Sequence, residues 1–335
     1  MRTYIKMIIA AASITAILIA GTAIYYKYFA KRRLIVSTTT SLYDTGLLNY
    51  IEEKFEGKYP IDVIFIALGT GAAIENAKRG DADLILVHSP KLEKSFLEEG
   101  YGVSRKIIAY NFFIIVGPES DPAGIKGLNA TEALKKIAAY GENHPTEKIW
   151  VSRYDNSGTH NKEQSLWEAA GFNYPEISDE TKTWYVRAYA GMGKTLLTAE
   201  EFSAYTLADV GTYLKYFKDG SITLTGLISE SRDLLNVYSA IAVNQTKCPN
   251  VNFEDAITFI KFLISDEGQQ LIENYGKEEY GRSLLYGAVQ PLTQNSQPIA
   301  SWIMDYAFIK DGINNYECPP KYRDSRHPEL YSEGA

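Results

Sequence analysis

From Leu34 onward, short apolar runs rich in branched side chains alternate with stretches of helical spacing, and the alternation runs through twice. "LIVS" reads as a buried strand. Leu47, Leu48, Ile51 and Phe55 then recur near helical intervals, "IDVIFIALG" returns to β-branched composition, and "TGAAIENAKRG" is a short helix closed by Gly80. "ADLILVH", "KLEKSFLEEGYG" and the long run "IIAYNFFIIVG" extend the series to β-α-β-α-β-α-β. Unbroken apolar strands separated by helices belong to a parallel sheet, because each crossover helix must cover one of its faces.

The pattern restarts with helix "ATEALKKIAAYG", strand "KIWVSR", helix "NKEQSLWEAAGF" and strand "TWYVRAYA". A long helical stretch "MGKTLLTAEEFSAYTLAD", strand "SITLTGL", apolar strand "NVYSAIAVNQ" and a closing helix "FEDAITFIKFLISDEGQQLIENYG" follow. These predict an α/β fold of two lobes, each a mostly parallel sheet flanked by helices. Two crossover strands join the lobes around a cleft, crossing near Ile115–Pro118 and Ala240–Asn244. The expected organisation is an N-terminal segment 1–33, a first lobe from 34–115 and 243–291, a second lobe 116–242, and a C-terminal extension 292–335. "YECPPKYRDSRHPELYSEGA" reads as an irregular or disordered tail.

Met7–Tyr26 carries no charge and is 20 residues long, enough to cross a bilayer. It ends in Tyr25 and Tyr26, an interfacial pair, and is longer than a usual signal-peptide core. An uncleaved transmembrane helix is therefore expected over a cleaved signal. The basic cluster Lys27, Lys31, Arg32 and Arg33 would keep the folded part inside, whereas sequons at Asn129 and Asn244 suit an external protein. The external side is the expected one.

The formal net charge of -7, with no basic stripe, argues against nucleic acid as a partner. His88, His144, His160 and His327 show no metal-ligand spacing, and Cys248 and Cys318 leave a single disulfide possible but not established.

In an open parallel sheet, ligands sit beyond the carboxyl ends of the strands. Four exits are distinctive: "STTTS" at Ser37–Ser41, "LGTGAA" at Leu68–Ala73, "VSRYDNSGTH" at Val151–His160, and "AYAGMG" at Ala188–Gly193. Each places hydroxyls or glycines just before a helix. The unpaired first N–H groups of a helix, its positive end and rotatable hydroxyls together suit an anion. Any one exit alone reads first as helix capping; convergence of several on one cleft reads as anion binding. Arg153, at a strand end, can fork onto two oxygens of an oxyanion, or simply form a surface pair with Asp155. "GMGKT" lacks the first glycine of a nucleotide loop, since Ala188 stands there. Ser157 and His160 lack a third catalytic partner, so no enzyme is expected.

At these residues the sequence resembles a known family. "STTTS", "ALGTGAAIENAKRGDADLILVHSP", "NFFIIVGPESDPAGIKG", "VSRYDNSGTHNKEQSLWEAAG", "GMGKTL", "AYTLADVGTYL" and "NVYSAIAVN" resemble, in order, the tungstate-binding proteins of tungstate ABC transporters. The resemblance implies a type II periplasmic-binding-protein fold, capture of tungstate or molybdate outside the membrane without a cofactor, and delivery to a permease with a cytoplasmic ATPase. It implies oxyanion ligands at Thr39, Thr40, Ser41 and Arg153, with Thr70, Ser157 and Thr159 in matching motifs. The chain is expected to act as a monomer. Tyr154 stands where the family often has glycine, and the C-terminal extension has no counterpart in the resemblance. The rivals are a phosphate or sulfate receptor, a membrane-anchored enzyme acting on phosphorylated metabolites, and a surface adhesin.

Overall fold

In the computed structural model the described residues are Tyr4, Thr15 and 31–331. Apart from Thr15, the Met7–Tyr26 span expected as a membrane helix lies outside the described residues. Among the described residues no helix is long and apolar enough to cross a membrane.

The first lobe is built on β1 (Arg32–Thr39), which pairs in parallel with β2 (Ile61–Leu68) and β3 (Leu84–Val87). A four-residue turn of helix, α1 (Thr40–Tyr43), and α2 (Leu47–Glu56) join β1 to β2. α3 (Thr70–Lys78) joins β2 to β3, and α4 (Pro90–Glu98) follows β3. Leu47, Leu48, Ile51 and Phe55 fall on one face of α2 and are all buried, as their spacing requires.

The chain leaves this lobe along β4 (Gly102–Gly117) and returns along β9 (Leu235–Val243). One leads out and the other leads back, so they pair antiparallel. β4 pairs with β9 as far as Phe112 and with β7 (Tyr205–Asp209) from Phe113 onward. The second lobe carries the parallel set β7, β5 (Trp150–Ser152) and β6 (Tyr185–Arg187). It is covered by α5 (Ala130–Asn143), α6 (Gly158–Ala169), α7 (Met192–Phe202) and α8 (Val210–Lys218). β8 (Thr225–Ile228) and β10 (Tyr286–Gly287) add to β4 antiparallel. The sheet is thus mixed, in the order β2-β1-β3-β9-β4-β7-β5-β6, with parallel strands at its two ends and antiparallel ones between.

Several expectations are corrected. "MGKTLLTAEEFSAYTLAD" is not one helix: α7 stops at Phe202, Ser203 takes a left-handed φ of 51°, and Tyr205–Asp209 is strand β7. A serine does the work usually done by glycine at a helix end, so no sequence signal marked the break. The closing helix is two, α9 (Phe253–Ile264) and α10 (Asp266–Asn274), divided at Ser265, whose hydroxyl caps the second by accepting from the Gly268 N–H.

The described part of the tail, to Tyr331, is irregular beyond Tyr316 but packs into the core through Cys318, Leu330 and Tyr331. α11 (Ile299–Ala307) buries Ile303 and Ala307, and β11 (Ile309–Asp311) and β12 (Asn314–Tyr316) form a hairpin. β4 is irregular between Val103 and Lys106, with Ser104 left-handed, and the tail closes over that irregularity. The Glu317 carboxylate accepts from Lys106 Nζ and from the Ile107 N–H, both at 2.6 Å. The Glu317 carbonyl accepts from Arg105, which is fully buried with Glu93, and Tyr331 donates to the Arg105 carbonyl. Cys248 and Cys318 are free, buried thiols in separate core clusters, so they form no disulfide.

Candidate functional site

All four distinctive strand exits meet in one cleft of about 550 Å³ between the lobes. The first lobe contributes Thr40, Ser41, Asp44 and Gly69; the second contributes Arg153 to Ser157 without Tyr154, the Gly191–Gly193 turn, and Thr212, Lys215 and Tyr216 from α8.

Of the five hydroxyls in "STTTS", three are occupied internally. Ser37 accepts from Asn76, Thr38 donates to the Leu86 carbonyl, and Thr39 caps α1 by accepting from the Leu42 N–H. Thr40 and Ser41 face the cleft, the Ser41 hydroxyl lying 3.3 Å from that of Thr39. Gly69 and Gly191 are the N-caps of α3 and α7, and neither makes a side-chain cap. The leading N–H groups of both helices therefore remain available, with the positive ends of the helix dipoles behind them. At α8 the equivalent position is Asp209, which accepts from the Thr212 N–H and hydroxyl, so this helix offers side chains to the cleft instead.

Arg153 is 6% exposed and is held by Asp155: its Nε and one terminal nitrogen both donate to Asp155 Oδ2, at 3.1 and 2.6 Å. Burial alone would raise the Asp155 carboxyl. Bonds from Ser157 and the Arg153 charge outweigh it and hold Asp155 below the ordinary carboxylate range. Asp44 is pushed upward by burial, against the charges of Lys215 and Arg153.

The loop carrying Arg153 is fixed from beneath. Tyr154 and Asn156 have φ of 50° and 57°, a left-handed conformation that non-glycine residues adopt at a cost. The Asn156 N–H donates to His160 Nδ1 at 2.9 Å, so the proton of this ring sits on Nε2. Nε2 meets Tyr174 OH at 2.8 Å, Tyr174 meets Tyr185 OH at 3.0 Å, and Tyr185 donates to Glu163 at 2.5 Å. Glu163 is buried, which raises its carboxyl against the bonds it receives from Tyr185, Ser152, Trp150 and Trp167. A directed run of hydrogen bonds thus ties the Arg153 loop to the core of the second lobe. Tyr154, the departure from the family pattern, packs against His160 and Tyr189 and lies under the Arg187 guanidinium, outside the lining of the cleft.

The structure brings Thr40, Ser41, Arg153 and Ser157 together around the cleft. Thr39 is the cap of α1, while Thr70 and Thr159 are buried one residue beyond Gly69 and two beyond Ser157, their hydroxyls without hydrogen-bond partners among the described residues. Sequence reasoning missed Asp44, Asn156, Thr212, Lys215 and Tyr216. The last three follow a fifth strand exit, β7 into α8, concealed when "AYTLAD" was read as helix. "DVGT" after a strand has the same character as the other exits and was the available signal.

Two α/β lobes whose strand exits and helix N-termini face a shared cleft define a solute receptor of the periplasmic-binding-protein type. A family profile described as "PBP superfamily domain" matches residues 20–267, and the chain belongs to that superfamily. Within it the chain belongs with the TupA tungstate-binding proteins. It is 40% identical over 259 residues to the tungstate-binding protein TupA of Peptoclostridium acidaminophilum, covering 76% of this chain and 85% of that protein. The solved TupA of Desulfovibrio alaskensis is 39% identical with a TM-score of 0.68, over 77% of this chain and 99% of that one. The structure described as the tungstate ABC transporter from Geobacter sulfurreducens is 43% identical with a TM-score of 0.63, over 72% and 98%.

Proposed function

We propose that the interlobe cleft captures tungstate, with molybdate as the nearest substitute, and presents it unaltered to the permease and cytoplasmic ATPase of an ABC transporter. The observation that carries this reading is the convergence of two uncapped helix N-termini, the Thr40, Ser41 and Ser157 hydroxyls and the buried Arg153 on one cavity. Such a set consists of donors arranged around a volume, which fits a fully deprotonated tetrahedral dianion. Charge-assisted bonds from these groups must offset the hydration that the dianion gives up. Thr39, Thr70 and Thr159 complete the proposed ligand set from the layer beneath, Thr70 and Thr159 having hydroxyls not otherwise engaged among the described residues. The chain is a solute-binding protein and not an enzyme.

Capture on the extracellular face follows from this role, with Met7–Tyr26 as the proposed membrane anchor; detergent-dependent extraction from membranes tests it. The chain is proposed to act as a monomer, and light scattering of the purified protein checks this. The phosphate alternative has one observation in its favour: Asp44 lines the cleft and could accept the proton of a monoprotonated phosphate. Calorimetry with tungstate, molybdate, sulfate and phosphate decides between them. Tight binding of the two larger anions is expected, and heat with phosphate alone overturns the reading.

A further inference from the structure

His88 follows β3 at a strand exit that the cleft does not use. Its ring is 5% exposed and stacks on Tyr238 at 4.9 Å between centroids. Nδ1 lies 2.8 Å from Asn236 Oδ1. The Asn236 amide nitrogen donates to Asn111 Oδ1 at 3.0 Å and to Tyr238 OH at 2.9 Å, so its oxygen is turned toward His88 and accepts. Nδ1 therefore carries the proton and Nε2 presents a bare lone pair. Burial keeps the ring neutral, pushing its pKa down to about 4. Nε2 is a buried acceptor with no hydrogen-bond partner among the described residues. Asn111 and Asn236 are direct neighbours on β4 and β9, the two strands that link the lobes, so the orientation of this ring is set by the hinge.

Nε2 faces the other lobe. A Cβ on Gly158, the first residue of α6, would lie 2.5 Å from His88 Cε1 and 2.8 Å from Nε2. Only glycine lets the first turn of α6 come so near. The leading N–H groups of a helix have no partners within it, and the Ser157 cap serves the His160 N–H three residues on. The acceptor of the first lobe is thus pressed against the first turn of α6, whose leading N–H groups the helix itself does not use. The turn that carries those donors is continuous with Arg153–Ser157.

We propose that His88 is a positioning residue, whose Nε2 accepts a main-chain hydrogen bond from the first turn of α6 as the lobes close, latching the anion-binding turn to the hinge strands. The inference rests on the oxyanion-capture reading above. A ligand shifts a hinge only through interactions that differ between open and closed forms. An acceptor left unmatched until closure is such an interaction, because it penalises the open form and rewards the closed one.

The test measures tungstate affinity by calorimetry, and release by tryptophan fluorescence on dilution, in the full chain and three variants. His88→Asn keeps the bond to Asn236 and removes the acceptor at the Nε2 position. His88→Phe keeps the ring and removes both nitrogens. His88→Gln places an amide oxygen near Nε2. Release about three- to tenfold faster in His88→Asn and His88→Phe, with His88→Gln near wild type and all apo proteins folded by circular dichroism, is expected. If His88→Phe does not fold, the contrast of Asn with Gln carries the result. Wild-type release rates in the Asn variant, or equal loss in Asn and Gln, overturn the latch while leaving oxyanion capture intact. No binding of tungstate by the unmodified chain overturns both.

Discussion

Arg153 is the residue on which oxyanion capture should depend most. Of its five N–H groups, Nε–H and one terminal N–H are held by Asp155 Oδ2, which leaves three for the cleft. Arg153→Gln removes the charge, the fork and at least one donor. Each hydrogen bond from a charged group contributes about 1.5–3 kcal/mol, and two such bonds to the anion make the direct loss about 3–6 kcal/mol. A second effect adds to it. Asp155, no longer matched by a guanidinium, sets its negative charge beside a dianion. Affinity for tungstate should fall at least about a hundredfold. The double variant Arg153→Gln with Asp155→Asn separates the two effects, and should recover part of the loss. Calorimetry at fixed ionic strength measures both. A change of less than about threefold in the single variant would remove Arg153 from the site and refute the reasoning from its burial and orientation.

Other outcomes follow from particular groups. His88 titrates near 4 when folded and near 6.5 when unfolded, so it favours the fold above pH 6.5. That contribution, about 3 kcal/mol, is lost as pH falls from 6.5 toward 4. Denaturant titrations of wild type and His88→Gln at both ends of that window should differ accordingly, and parallel curves would contradict it. Glu317→Ala strands the Ile107 N–H and the Lys106 ammonium and should cost about 3 kcal/mol of stability, whereas a loss below about 1 kcal/mol would mean the tail is dispensable. Asp44→Asn should tighten tungstate binding about severalfold by removing a like charge, and weaken any binding of phosphate. A shift of both anions in one direction would deny Asp44 a place at the ligand.

The α/β alternation and the site exits were legible because both are local. The hydroxyls of "STTTS" follow an apolar strand without interruption, and Gly69 and Gly191 precede their helices, so strand, exit and helix end can be read from adjacent residues. β7 was not legible, because its boundary with α7 depends on Ser203 adopting a left-handed conformation that tertiary packing selects. The three hydroxyls engaged internally could not be told from the two that face the cleft. Two of their partners, Asn76 and the Leu86 carbonyl, are fixed only when β1 pairs with β3 and α3 folds over it; the third, the Leu42 N–H, is a local cap that sequence alone does not tell from a ligand-facing role. The tail was illegible for the same reason at longer range: Glu317 finds its donors 210 residues away in sequence, on a strand whose irregularity leaves them open.

The charged groups of the cleft suggest how an acidic chain holds a dianion. Its lining contains two acids, Asp44 and Asp155, and two bases, Arg153 and Lys215, which cancel in formal charge. Attraction must then come mainly from the nearby guanidinium, from the N–H groups leading α3 and α7, and from hydroxyl dipoles rather than from a surplus of positive charge. Dissolved ions screen exposed charges within about 10 Å at 0.1 M salt, but they do not enter a closed shell of buried dipoles. A receptor that relied on surplus lysines would lose affinity steeply as salt rises. Here, raising sodium chloride from 50 to 500 mM should change the tungstate dissociation constant by less than about fivefold, with the effect confined to the rate of capture. A steep loss of affinity, with the rate of release rising in proportion, would show that long-range charge rather than the converging helix ends holds the anion.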